Sequence, residues 1–284
     1  MNSSLLALFL EKYPDVWFRF MEHMNMTTMA VLLSIAIGVP LGIIITRNKT
    51  ASNIIIGIAN LMQSIPCIAL LAFSVPFVGI GEKPAIIMVI IYALLPIIKN
   101  TYTGISSIDP KLIEAANGIG LSTWQKLIKI EMPLAMPFIM AGIRISTVAA
   151  VGTMTIAAFA GAGGLGWFIN MGLIGLNLDM VLLGAIPASI LALLIDYMLA
   201  KAESLLVPEG LKPAGQIKND KVTKHTMQKL VVATLCGLLV ILPLSIKGYA
   251  YFKDSTQKTI VVGTSNFTEV FIFCLLYTSD AADD

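Results

Sequence analysis

Apolar residues in this chain gather in long blocks, with polar residues confined to the gaps between them. The blocks lie near Met26–Thr46, Ile54–Val78, Pro84–Asn100, Leu134–Ala160, Met180–Leu199 and Leu230–Ile246. A bilayer core of about 30 Å is crossed by about 20 apolar residues in helical form. The pattern therefore predicts an all-α polytopic membrane protein with about six transmembrane helices. Ahead of the first block, Leu5–Met21 mixes Trp17, Phe18 and Phe20 with Glu11, Lys12, Asp15 and Arg19. The charges interrupt any signal-peptide core, and the mixture predicts an amphipathic helix at the outer interface.

The most informative gap is Asp109–Pro133, DPKLIEAANGIGLSTWQKLIKIEMP. Asp109 can cap a helix that Pro110 opens. Leu112, Ile113 and Ala116 then recur at helical spacing, and Gly118 and Gly120 end the helix. Ser122-Thr123-Trp124-Gln125 has the spacing of a capping box. Trp124, Leu127 and Ile128 are expected to face one way, with Lys126 and Lys129 toward water, and Pro133 to break the chain into the next span. Two short helices at an angle make a knob, and so much ordered polar chain between spans implies a soluble partner.

Composition agrees with a membrane location: 57% of residues are hydrophobic and 13% charged, with a mean hydropathy of +0.85. The net charge of +2 carries no signature of nucleic-acid binding; its distribution matters more. With the N-terminus outside, Arg47, Lys49, Lys99, Lys111, Lys126, Lys129 and the lysines of Lys201–Lys229 fall in cytoplasmic segments. Lys12, Arg19, Lys83, Lys247, Lys253 and Lys258 fall outside. The bias follows the positive-inside rule and places both termini outside the cytoplasm.

Cys67 and Cys236 lie in spans and Cys274 near the C-terminus, while His23 and His225 flank different spans. None is spaced for a disulfide, a metal or catalysis. Arg144 and Asp196 fall near the inner ends of their spans, as interface anchors or as a pair across helices. No chain of buried carboxylates suggests a proton relay. Pro40, Pro66, Pro76, Pro96 and Pro187 are hinge candidates. The glycine cluster Gly161–Gly166 lacks a βαβ context and no phosphate-loop motif occurs in the chain; its role is a flexible outer rim or tight helix packing.

Glu114, Ala115, Ala116, Gly120, Ile130 and Pro133 stand at the spacing E-A-A, three residues, G, nine residues, I-x-L-P. This pattern resembles the coupling loop of ABC importer permeases, with Met132 in place of the usual leucine. IGVPLGIIITR at Ile37–Arg47, LMQSIPCIALLAF at Leu61–Phe73 and AAFAGAGGLG at Ala157–Gly166 look like permeases of compatible-solute importers. The resemblance, over roughly residues 20–210, implies a type I importer permease fold in a bacterial cell membrane. It implies a separate ATP-binding cassette ATPase, which holds ATP and magnesium and docks on the loop. It also implies a second permease copy or close paralogue, a surrounding of membrane lipid, and a substrate-binding protein or fused domain. The cargo would be glycine betaine, carnitine, choline or a related amine. An alternative cargo is another betaine-like solute such as ergothioneine; an ATP-independent channel or ion-coupled carrier would leave the loop unexplained.

The expected layout is an interfacial segment at 1–25, a permease core at 26–200 and a partly disordered cytoplasmic linker at 201–229. An extra span at 230–246 and the start of an extracytoplasmic binding domain at 247–284 complete it. There KTIVVG at Lys258–Gly263 reads as a strand, and the resemblance makes Asn266, Phe267, Thr268 and Glu269 substrate-site candidates. The ending CLLYTSDAADD resembles translated sequencing-adapter read-through, so the natural sequence is expected to diverge after about Glu269.

Overall fold

A computed structural model of the chain describes residues 2–206. The extra span, nearly all of the linker, and Asn266–Glu269 lie outside the described residues. Helix α1 spans Asn2–Glu11 and α2 spans Tyr13–Ile45. Helix α2 is 33 residues long, about 50 Å at 1.5 Å per residue, and so runs the whole depth of the bundle. It passes through residue 25 without a break. His23, Met24, Asn25 and Met26 are buried, and His23 Nε2 donates to the Val151 carbonyl at 3.1 Å.

The second apolar block is a bent pair, α3 (Lys49–Ser64) and α4 (Cys67–Val78), with 97° between them. The span expected over Ile54–Val78 is thus broken sharply at Pro66, one of the hinge candidates. The cause is local: Ile65 precedes a proline and takes the extended φ −72°, ψ 130°, because the proline ring disfavours helical geometry in its predecessor. The Tyr92 hydroxyl from the next helix donates to the Ile65 carbonyl and occupies an acceptor freed by the break. Pro40, Pro76, Pro96 and Pro187 stand inside helices that continue past them.

Helix α5 spans Glu82–Ser106. The polar gap follows, with α6 (Pro110–Gly118) and α7 (Thr123–Lys126), and a π-turn at Leu127–Glu131 leads into α8 (Met132–Met154). A 3₁₀ segment, Thr155–Ala160, precedes α9 (Gly166–Ile174) and α10 (Leu178–Leu206). Lys201–Leu206 therefore extend α10 instead of opening the linker. Among the described residues, four continuous helices are long and apolar enough to cross a membrane, and the bent pair makes a fifth crossing if counted as one.

Helix α5 is central, packed between α2 and α8. The approach is close because glycines face it: a Cβ on Gly42 would lie 2.6 Å from the Thr101 Cβ, and one on Gly142 2.9 Å from the Pro96 carbonyl oxygen. Small residues at helix contacts provide the van der Waals packing that holds bundles together in lipid, where hydrophobic exclusion from water is absent. Met26, Ala30, Met88, Val89, Ala150 and Met154 fill one core. Ile105, Ala135 and Ile139 form a second, with Val39, Ile43 and Met132 packed against it.

Candidate functional site

The polar gap folds as a compact knob, and its backbone bonds explain its sequence. Asp109 Oδ1 accepts from the Lys111 amide at 2.9 Å, with Pro110 in the first helical turn. At the far end Leu121 N–H donates to Ala116 O at 3.1 Å and Gly120 N–H to Asn117 O at 3.0 Å. Together they form a Schellman termination, which needs a left-handed residue between helix and exit. Gly120 supplies it with φ +79°. The glycine of the E-A-A-x-x-x-G spacing is thus a helix stop. Gly118, expected to share that role, is the last residue of α6.

The second helix starts as its spacing predicts. Ser122 N–H donates to Gln125 Oε1 at 2.9 Å, and Gln125 N–H returns to Ser122 Oγ at 3.3 Å. Lys126 does not point freely into water: its Nζ donates to Asn117 Oδ1 at 2.5 Å and ties α7 to α6. Pro133 does not break the chain either. It lies in the first turn of α8, where a missing N–H is tolerated, and the preceding turn is widened so that Met132 N–H reaches Leu127 O. The knob therefore continues through a π-turn into a long spanning helix.

Glu114 and Ala115 are exposed, whereas Ala116 is only 2% exposed. The two alanines play different parts, one outward beside the carboxylate and the other inward. Ile130 and Pro133 are half-buried at the root of the knob. Of the residues expected at helical spacing, Leu112 is exposed, Ile113 half-buried and Ala116 buried, and on the second helix Trp124 and Ile128 are exposed while Leu127 is half-buried; Ile119 adds a further exposed apolar side chain. Four large apolar side chains thus stand exposed on a knob that also exposes Lys111, Glu114 and Lys129.

Sequence reading missed the tie between this knob and the rest of the bundle. Arg47 Nη2 lies 2.5 Å from Glu131 Oε2 and Arg47 Nη1 3.2 Å from Glu131 Oε1. The Glu131 side chain is 4% exposed and that of Arg47 47%. A carboxylate is seldom buried without a cationic partner, so the lone acid in LIKIEMP was the available signal. A second fork joins Arg144 to Asp196 at 2.6 and 2.8 Å, with Glu203 3.8 Å from the guanidinium. The pairing across helices that the sequence left open is the arrangement found.

Far from the knob, the glycine cluster packs on the start of α2. Gly164 N–H donates to Glu22 Oε2 at 3.1 Å, and Glu22 pairs with Arg19 at 2.8 Å. A Cβ on Gly166 would fall 1.9 Å from Thr155 O. Of the two roles considered, close packing accounts for this geometry. Between α2, α8 and α10 a cavity of about 160 Å³ is lined by Thr27, Thr28, Thr147 and aliphatic side chains.

Residues 38–204 match the family model described as binding-protein-dependent transport system inner membrane component. The chain is 44% identical over 191 residues to the glycine betaine/carnitine/choline transport system permease protein OpuCB of Bacillus subtilis, covering 67% of this chain and 88% of that protein. It is 41% identical over 211 residues to the carnitine transport permease protein OpuCB of Listeria monocytogenes, covering 74% and 97%. The osmoprotectant import permease protein OsmW of Salmonella typhimurium is 41% identical over 196 residues, with 67% and 91% covered. Among solved structures, the inward-facing MetNI methionine ABC transporter superposes with TM-scores of 0.61 and 0.58 in two crystal forms, at 26% identity. These alignments cover 73% of this chain with 100% of that chain, and 66% with 94%. By sequence and by fold, this chain belongs to the inner-membrane components of binding-protein-dependent transport systems, with the type I ABC importer permease fold.

Proposed function

We propose that this chain is the transmembrane permease subunit of an ATP-driven importer of quaternary-ammonium osmoprotectants, the glycine betaine, carnitine and choline class. The observation that carries the reading is the folded knob at Asp109–Pro133, with exposed Glu114 and an outward apolar face continuous with a spanning helix. Such an element receives a displacement and passes it into the membrane. A separate ATPase subunit, with its own ATP and magnesium, grips the knob from the cytoplasm. The names of relatives at 41–44% identity support the substrate class.

A second copy of the chain, or a close paralogue, completes the pathway. The bent pair α3–α4 supports this: it exposes Asn60, Gln63 and Ser64 on its first arm and Phe73 and Phe77 on its second. Irregular backbone and polar side chains at membrane depth are tolerated where protein or water covers them, not lipid. ATP binding draws the paired knobs together and opens the pathway outward to solute delivered by a substrate-binding protein or domain. Hydrolysis resets it inward. An uncharged, partly aromatic path suits a bulky quaternary amine, because aromatic faces attract such cations without a fixed counter-charge.

Uptake of labelled glycine betaine, carnitine and choline by cells carrying the whole system tests the proposal. ATP-dependent accumulation of at least one is expected. Absence of uptake for all three, with the complex assembled in the membrane, overturns the substrate assignment.

A further inference from the structure

We propose that the Arg47–Glu131 pair is a second route for force, carrying motion of the knob into α2 and α3 as well as α8. The inference rests on the docking reading above and deepens it. The knob is joined to α8 by the chain itself, but through a π-helical turn, a widened segment of a kind often found at functional sites. Glu131 is the last residue of that turn. Its carboxylate is gripped through both oxygens by one guanidinium.

Arg47 stands in the tight turn between two helices. Thr46, Arg47 and Asn48 N–H groups donate in succession to Ile43, Ile44 and Ile45 carbonyls, which closes α2. Asn48 Oδ1 then accepts from Thr50 and Ala51 amides and opens α3. Any shift of Glu131 therefore pulls the junction of α2 and α3, and α3 leads into the bend at Pro66. With the pair intact, displacement of α6 and α7 reaches three spanning elements. With the pair cut, the π-turn flexes and the displacement stops at α8. A buried carboxylate paired with arginine is a poor device for stability alone, since apolar replacement often serves as well. A two-pronged, oriented link is what transmission requires.

The test uses the whole complex, permease with its ATPase and binding protein, in proteoliposomes with labelled glycine betaine. Three variants are compared with wild type: Arg47→Ala, Arg47→Lys and Glu131→Gln. The decisive readout is solute imported per ATP hydrolysed, measured beside the amount of ATPase bound to the permease. Coupling between sites is commonly worth a factor of about 5–150, so a fall of about ten-fold in that ratio is expected for Arg47→Ala and Glu131→Gln. Arg47→Lys should fall between them and wild type, since it keeps the charge and loses the fork. ATPase binding should be unchanged in all three. Variants that yield less complex but import at the wild-type ratio would overturn the proposal by making the pair merely structural. Loss of ATPase binding would overturn it too, by placing the pair in docking. A wild-type complex that binds its ATPase through a surface other than the knob would sink the docking reading itself, which the variants' ratios do not address.

Discussion

Replacing Trp124 with alanine removes the largest side chain of the outward face and leaves the bundle untouched. Trp124 is 68% exposed, so little packing within the subunit depends on it. Surface substitutions of this kind change stability by about 0.5 kcal/mol or less. A buried aromatic removes about 150–250 Å² from water, which leaves about 100–170 Å² here for a partner to cover. At about 25 cal/mol per Å² that area corresponds to about 2.5–4 kcal/mol. Incomplete coverage and the cost of immobilising the ring reduce the net effect to about 2 kcal/mol. Each 1.4 kcal/mol is ten-fold in affinity, so the ATPase should bind about thirty-fold more weakly. Titration of the purified ATPase onto permease in nanodiscs measures this directly, with thermal unfolding as the control for folding. Unchanged affinity, at an unchanged melting point, would refute the assignment of this face as the docking surface.

Other positions separate the parts of the site. Glu114→Arg should leave the permease folded but abolish substrate-stimulated ATP hydrolysis and uptake, because the exposed carboxylate becomes a cation; normal uptake at normal membrane levels would contradict its role. Gly120→Ala places a side chain at φ +79°, at a cost of about 1–2 kcal/mol, and should raise protease cutting within Asp109–Pro133 while the spans keep their protection. Gly142→Leu should damage the bundle itself, since even a Cβ there would lie 2.8 Å from the Asn100 Cβ; a sharply reduced yield of folded protein in detergent is the expected result.

What the sequence disclosed was local. Asp109 with Pro110, Gly120, and Ser122 with Gln125 act within a few residues of themselves, so spacing alone predicts their hydrogen bonds. The spanning helices are legible for a related reason: a bilayer demands long apolar runs whatever they pack against. Pairings distant in sequence stayed hidden. Arg47 and Glu131 are separated by 84 positions and Arg144 and Asp196 by 52, and nothing in a linear pattern brings either pair together. Prolines were ambiguous for another reason. Pro66 ends a helix and Pro133 opens one, while Pro96 and Pro187 sit inside helices that continue. Only the surrounding packing decides which freed carbonyls find donors, as the Tyr92 hydroxyl does for Ile65.

The central claim is that the knob at Asp109–Pro133 is held by an ATPase on the cytoplasmic side of the membrane. A single cysteine at exposed position 115, in a chain whose native Cys67, Cys236 and Cys274 are replaced, carries a photoactivatable cross-linker for that purpose. The account predicts an adduct with the ATPase subunit in membranes, and protection of this cysteine from impermeant thiol reagents added outside intact cells. Labelling from outside, or an assembled and transporting complex that gives no adduct from position 115, would contradict it.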